Sequence, residues 1–182
     1  MTKHALLAFS ALALVACGQQ ATTETTETTP PPPVEAPVAQ MTDAAFVQAV
    51  ADADAYEVQT SELVSQRASR QEVKDFAAMM VRDHRATTQE LTTLAPTINL
   101  TAPTPQIDSS RQSRIDTLRG QSGESFDDAY LDEQVEAHEN AVRLFENYLV
   151  GAPAGPLRDW ATTTLPKLRT HLTQVQALED AT

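Results

Sequence analysis

Three features of this chain predict an all-α fold built as a four-helix bundle. Apolar residues recur at steps of three and four through four long stretches, no run alternates apolar and polar residues as a half-buried strand would, and the glycines and prolines collect in the connections. The helical domain is expected over residues 42–180.

The first helix starts near Thr42 or Asp43, either of which can cap free N–H groups, and its apolar stripe runs Phe46, Val50, Ala53, Glu57, Thr60, Val64. The second opens on a capping box, Ser69-Arg70-Gln71-Glu72, and carries Val73, Phe76, Met80, His84, Thr87 and Leu91 on one face until about Leu94. Asp83 sits beside His84 at the edge of that stripe. A long connection with Pro96, Pro103 and Pro105 follows. It holds a short helix capped by Ser109 or Ser110, with Ile115 and Leu118 as its apolar side and Gly120 as its stop. The third main helix begins near Ser125, with Asp127 and Asp128 placed to suit its N-terminal dipole, and presents Leu131, Val135, His138, Val142, Phe145 and Leu149. The fourth opens at Pro156, a favoured first-turn proline, and continues Leu157, Ala161, Thr164, Leu168, His171, Val175, Leu178. Pro166 removes one backbone donor and is expected to kink it about a turn before His171. Tyr148 and Trp160 are expected at the end of the bundle with their polar atoms reaching water.

Connection lengths set the topology. The first two helices are joined by a very short turn near Ala68 and the last two by Gly151–Gly155, so each pair is an antiparallel hairpin, and nearly thirty residues separate the pairs. This is the ferritin-like arrangement: a four-helix bundle with one long crossover between helices 2 and 3 containing a short extra helix. Glu57, His84, His138 and His171 interrupt the four apolar stripes at about the same depth, roughly 20 Å along helices of about 35 Å, so the bundle gathers them at one level.

The N-terminus is of another kind. Residues 1–16 hold Lys3, His4 and an apolar run too short to span a bilayer, and read as a signal peptide. Leu14-Val15-Ala16-Cys17 resembles the lipobox of bacterial lipoproteins, which implies an acylated Cys17 and a membrane partner through that anchor; Gly18 in place of aspartate implies the outer membrane. Residues 17–41 form a Thr/Pro/Glu-rich tether with almost no large apolar side chains, expected to be disordered, with a stiff polyproline piece at Pro30–Pro33. Cys17 is the sole cysteine, so the mature chain has no disulfide.

Charge excludes one class of partner. Once residues 1–16, with Lys3, are removed, twelve Lys and Arg face twenty-five Asp and Glu, and nucleic acid is not a partner because phosphate neutralisation needs clustered basic groups. A hydrolase is disfavoured too. The serines lie in caps and loops, and no nucleophile motif or glycine-rich phosphate loop is present.

The segments YEVQTSELVSQRAS, VKDFAAMMVRDH, SFDDAYLDEQVEAHENAVRLFE and LPKLRTHLTQVQAL resemble the helices of the domain of unknown function 4142 family over about Asp43 to Leu178. The likeness runs through Glu57, Phe76, Asp83-His84, Phe126, Asp127, Tyr130, His138, Phe145, Leu165-Pro166 and His171. It implies a ferritin-like fold and an envelope location, and brings no established activity.

Two readings of the four inward polar residues stay open. Three imidazoles and one carboxylate suit a single zinc, copper(II), manganese or iron ion, with Glu57, His84, His138 and His171 as ligands and Asp83 behind them. Alternatively the four form a hydrogen-bonded core layer in a non-catalytic envelope module. A ferritin-type diiron pair does not fit, because the residues three before the histidines are Val81, Val135 and Leu168, where that chemistry needs glutamates. Asp83, Glu139 and Tyr130 are candidates for the edge of the site.

Overall fold

A computed structural model describes residues 40–181; the expected signal peptide of residues 1–16, Cys17 and nearly all of the expected tether lie outside the described residues. The described chain forms five helices: α1 (Asp43–Arg67), α2 (Gln71–Thr97), α3 (Ser109–Arg119), α4 (Glu124–Gly151) and α5 (Pro156–Glu179). No strand occurs among the described residues, and none of their helices is long and apolar enough to cross a membrane.

The four long helices form a ring in which α1 packs on α2, α2 on α5, α5 on α4 and α4 on α1. Residues 98–123 carry the chain back along the bundle, so α2 and α4 run the same way and each hairpin is antiparallel. Traversing a helix of about 40 Å takes a connection of this length. The core has two apolar clusters. One gathers Phe46, Val50, Leu91, Phe145 and Leu165; the other gathers Val64, Phe76, Met80, Tyr130 and Val175. Between them, every long helix contributes a buried polar residue: Glu57, His84, His138 and His171.

Helix ends show where local chemistry rules and where tertiary contacts override it. Thr42 caps α1, its hydroxyl accepting from Ala45 N at 3.2 Å. The capping box expected at Ser69–Glu72 does not form. Arg70 occupies the cap position without a side-chain bond. The buried carboxylate of Asp127 instead accepts from Ser69 N at 3.1 Å, from Arg70 N at 2.9 Å and from the Ser69 hydroxyl. Asp127 lies in the first turn of α4, as expected, and from there also satisfies the start of α2. The short helix α3 is capped by Asp108, which accepts from Ser110 N and Arg111 N, not by either expected serine.

Helix α2 runs past Leu94 and through Pro96 because a Schellman-type closure ends it one turn later. Asn99 takes the left-handed conformation at φ 61°, Leu100 N donates to Ala95 O and Asn99 N to Pro96 O. At the other end of the crossover, Gly123 (φ 65°) lets its N–H donate to Arg67 O at 2.7 Å, seating α4 against the end of α1.

The inward face of α4 is rotated from the expected stripe. Val135, Val142 and Leu149 are only half-buried, while Gln134, Ala141 and Tyr148 face the core. Tyr148 is 2% exposed, stacks on Phe46 with ring centres 3.8 Å apart and donates to Asp43 at 2.8 Å, so it is a core residue and not a wet end. Trp160 reaches the surface through Nε1, which donates to Glu90 at 2.8 Å. Helix α5 is a single α-helix through Pro166.

Candidate metal centre

The four residues expected at one level meet there. His84, His138 and His171 have ring centres 5.4–5.7 Å apart, and one nitrogen of each lies within 4.8 Å of the others. Glu57 Oε2 sits against them, 2.7 Å from His84 Nε2 and 3.4 Å from His138 Nε2. Glu57 and His84 are each 1% exposed, His138 is fully buried and His171 is 6% exposed.

The outward nitrogen of each ring determines what the inward one can do. His84 Nδ1 lies 2.8 Å from Asp54 Oδ1, His138 Nδ1 lies 2.9 Å from Gln134 O, and His171 Nε2 lies 3.2 Å from Asp83 Oδ2. All three partners are acceptors, so each of these nitrogens carries the hydrogen, and in the neutral ring the opposite nitrogen holds a lone pair. Those opposite atoms are His84 Nε2, His138 Nε2 and His171 Nδ1, and none of them has a hydrogen-bond partner; neither has Glu57 Oε2. His84 Nε2 and Glu57 Oε2 approach to 2.7 Å, the length of a hydrogen bond.

Four buried polar atoms without hydrogen-bond partners, converging on one point, would cost several kcal/mol if nothing joined them. Three imidazole nitrogens within 4.8 Å of one another, with a carboxylate oxygen beside two of them, are a donor set that could hold one transition-metal ion. The outer bonds are of the carboxylate–histidine and carbonyl–histidine kind that orient metal-bound imidazoles.

Asp54 was not apparent from the helical stripe, which ran through Ala53. Ala53 is half-buried and Asp54 is 4% exposed, accepting from Thr88 Oγ1 at 2.8 Å as well as from His84. Its spacing was the available signal: Asp54 lies one turn before Glu57 and shares its face. Asp83 takes the outer position expected of it. Tyr130, in the second apolar cluster, bonds to Ser61 at 2.8 Å, and Glu139 lies at the surface, paired with Arg143.

The layer is electrostatically unbalanced. Asp54 and Glu57 are buried and no lysine or arginine is among the described buried residues, so any compensating positive charge must come from the imidazoles or from an ion. Burial works to raise Glu57, yet His138 and His84 outweigh it and hold the carboxyl down at about 2. Burial works to lower His84, yet Glu57 and Asp54 raise it well above the usual imidazole range. Burial, aided by repulsion from His138 and His84, pushes His171 down to about 4 against the pull of Asp83. Burial also raises Asp54, with His84 opposing.

A family model described as domain of unknown function, DUF4142, matches residues 28–178. The chain belongs to the DUF4142 family. No curated protein is found as a sequence relative of this DUF4142 chain. Among solved structures its fold is similar to CopM in the Cu(II)-bound form, at 16% identity over 78% of this chain and 98% of that one, with a TM-score of 0.66. CopM in the silver-bound form gives 17% identity, the same coverage and a TM-score of 0.64. A secreted DUF305 protein from Streptomyces coelicolor gives 14% identity over 74% of this chain and 90% of that one, with a TM-score of 0.59. At these identities the likeness is one of fold.

Proposed function

We propose that this DUF4142 protein holds one transition-metal ion at mid-bundle, with Glu57, His84, His138 and His171 as ligands and Asp54, Asp83 and the Gln134 carbonyl fixing the imidazoles. The observation that carries this reading is the set of four buried atoms, three nitrogens and one carboxylate oxygen, that face one another without hydrogen-bond partners while the far side of every ring is tied down. The donor set suits zinc, copper(II), manganese or iron. Copper(II) is the first ion to test, because the similarly folded CopM has been solved with it. Such an ion would supply positive charge to the two buried carboxylates.

The cellular setting we propose is a lipoprotein of the bacterial envelope. Residues 1–16 would be removed, Cys17 would carry the lipid in the outer membrane, residues 17–41 would act as a tether, and the bundle of residues 42–180 would face the periplasm and hold or pass on metal. The test is to purify the chain after growth in medium supplemented with each metal, measure ion content and follow thermal unfolding on ion addition. One bound ion per chain, lost in His84→Gln and His138→Gln, is expected. No stoichiometric ion and no thermal shift with copper, zinc, manganese or iron would defeat the reading.

The 2.7 Å separation between His84 and Glu57 favours a second reading, a layer held together by a proton. His84 as imidazolium between Asp54 and Glu57 would make a self-sufficient buried triad and a purely structural core. The metal assay separates the two.

A further inference from the structure

A cleft of about 420 Å³ opens between α1, α3 and α4 and ends against Glu57. Its sides are cut by small residues, Ala49 and Ala53 on α1 and Ala137 and Ala141 on α4, so the two helices leave space where larger side chains would close the seam. Beyond it lies a cavity of about 10 Å³ against Asp54, Glu57 and His84, about the size that admits one water molecule. Ala53, Glu57, Ala141 and Leu144 line both spaces. Ala53, Ala141, Leu144 and Glu57 therefore stand between the cleft and the cavity beside His84.

The mouth is charged. Asp108, Glu133 and Glu136 face Arg111 and Arg114 there. Arg114 donates to Glu133 at 2.9 Å and to Glu136 at 2.6 and 3.0 Å, and Tyr56 donates to Glu133 at 2.5 Å, while Arg111 lies over the Tyr56 ring. Arg114 belongs to α3 in the crossover, not to the bundle that holds the cluster.

We propose that this cleft is the route by which a divalent cation reaches the buried centre, with Glu57 as the carboxylate that carries it across the partition and Arg114 as the group that restrains its uptake. The route rests on the metal reading above. Glu57 is the one ligand shared by the cleft and the cluster, and its Oε2 is buried, unpaired and directed at the imidazoles. Glu133 and Glu136 attract a cation at the mouth, and the Arg114 guanidinium cancels part of that attraction for as long as it bridges them.

The test follows uptake of cobalt(II), by its ligand-field absorption, and of copper(II) into the purified full chain by stopped flow, alongside equilibrium titrations. Filling the cleft with Ala53→Phe, or separately Ala137→Phe, should slow loading and chelator-driven release tenfold or more, with one ion still bound and affinity within about twofold of wild type. Arg114→Gln should load severalfold faster at low salt, the gain shrinking as salt screens the mouth. These changes have opposite signs, so a variant that is merely destabilised does not mimic the pattern. A filled variant that loads fully at the wild-type rate overturns the route while leaving the centre in place. A wild-type chain that takes up neither of these ions, nor zinc, manganese or iron in the same titrations, overturns centre and route together.

Discussion

Replacing Asp54 by asparagine should weaken ion binding over and above its effect on the metal-free fold, and the ion-induced shift in unfolding temperature isolates that part. Asp54 accepts from His84 Nδ1 and from Thr88 at 2.8 Å each, and at 4% exposure its charge is expensive. Asparagine keeps the shape but can accept only one of these bonds and turns its amide toward the other donor, so the metal-free protein should unfold at a somewhat lower temperature than wild type. Ion binding should weaken. Loss of an outer carboxylate on a ligating histidine typically costs 10- to 100-fold in affinity, taken here as about 30-fold. At an ion concentration about 100 times the wild-type Kd, wild type gains about 2.7 kcal/mol and Asp54→Asn about 0.9 kcal/mol. For a helical unit of about 140 residues at about 3 °C per kcal/mol, the ion-induced shift in Tm should fall from about 8 °C to about 3 °C. Thermal unfolding followed by circular dichroism, with and without copper(II), reads both numbers. An asparagine variant that keeps the whole ion-induced shift would show that Asp54 neither orients His84 nor strengthens the site, and the account of the outer bonds would be wrong.

Asp127→Ala should lower stability by about 3 kcal/mol, roughly 10 °C in Tm, since three donors at the start of α2 lose a charged acceptor and water replaces it only in part; a drop under about 3 °C would mean that α2 is capped by other means. The metal-free protein should lose stability as pH falls from about 6.5 to about 4, because the unfolded chain takes up a proton that His171, held at about 4, refuses. His171→Gln should flatten that part of the profile, and an unchanged slope would reassign the proton. His84 acts with the opposite sign: its raised pKa contributes stability below about 6.5 that is lost as pH rises through the folded value. Cys17→Ser should abolish fatty-acid labelling of the mature chain and release it from the membrane fraction, and persistent labelling would place the lipid elsewhere.

What could be read in advance was whatever repeats along one helix. Phe46, Val50, Val64, Phe76 and Met80 announce their burial by spacing alone, and three connection lengths sufficed for the topology. The same logic brought Glu57, His84, His138 and His171 to one level, because residues at similar depths in four antiparallel or parallel helices of similar length must meet. What was not legible depends on contacts between helices. Asp127 is legible as a first-turn residue of its own helix, but nothing local reveals that the α1–α2 turn lies beside it and takes its carboxylate. Asp54 stands next to Ala53 of the stripe, the pattern of a solvated edge; its spacing from Glu57 hints at the inward face, and the approach of His84 fixes it there. The rotation of α4 toward Gln134 and Tyr148 has the same origin, since Phe46 supplies the stacking surface that makes Tyr148 a core residue.

The histidine layer interrupts a core that apolar residues could have filled. Apolar side chains of equal volume often stabilise a bundle as well as a buried ionic layer or better, so stability alone gives a weak reason for three imidazoles and two carboxylates at its centre. A register device needs fewer groups: one buried polar pair distinguishes the correct alignment of helices from a slipped one. Here every imidazole has a separate acceptor on its outer side, drawn from three different helices, and the inner atoms are left without partners. A proton on His84 answers to Glu57 and Asp54 but leaves His138 Nε2 and His171 Nδ1 without a donor, since each of those rings already spends its hydrogen outward. One ion at the centre would meet all four atoms at once, and that difference in the number of buried groups satisfied is the physical ground for preferring the ion to the proton.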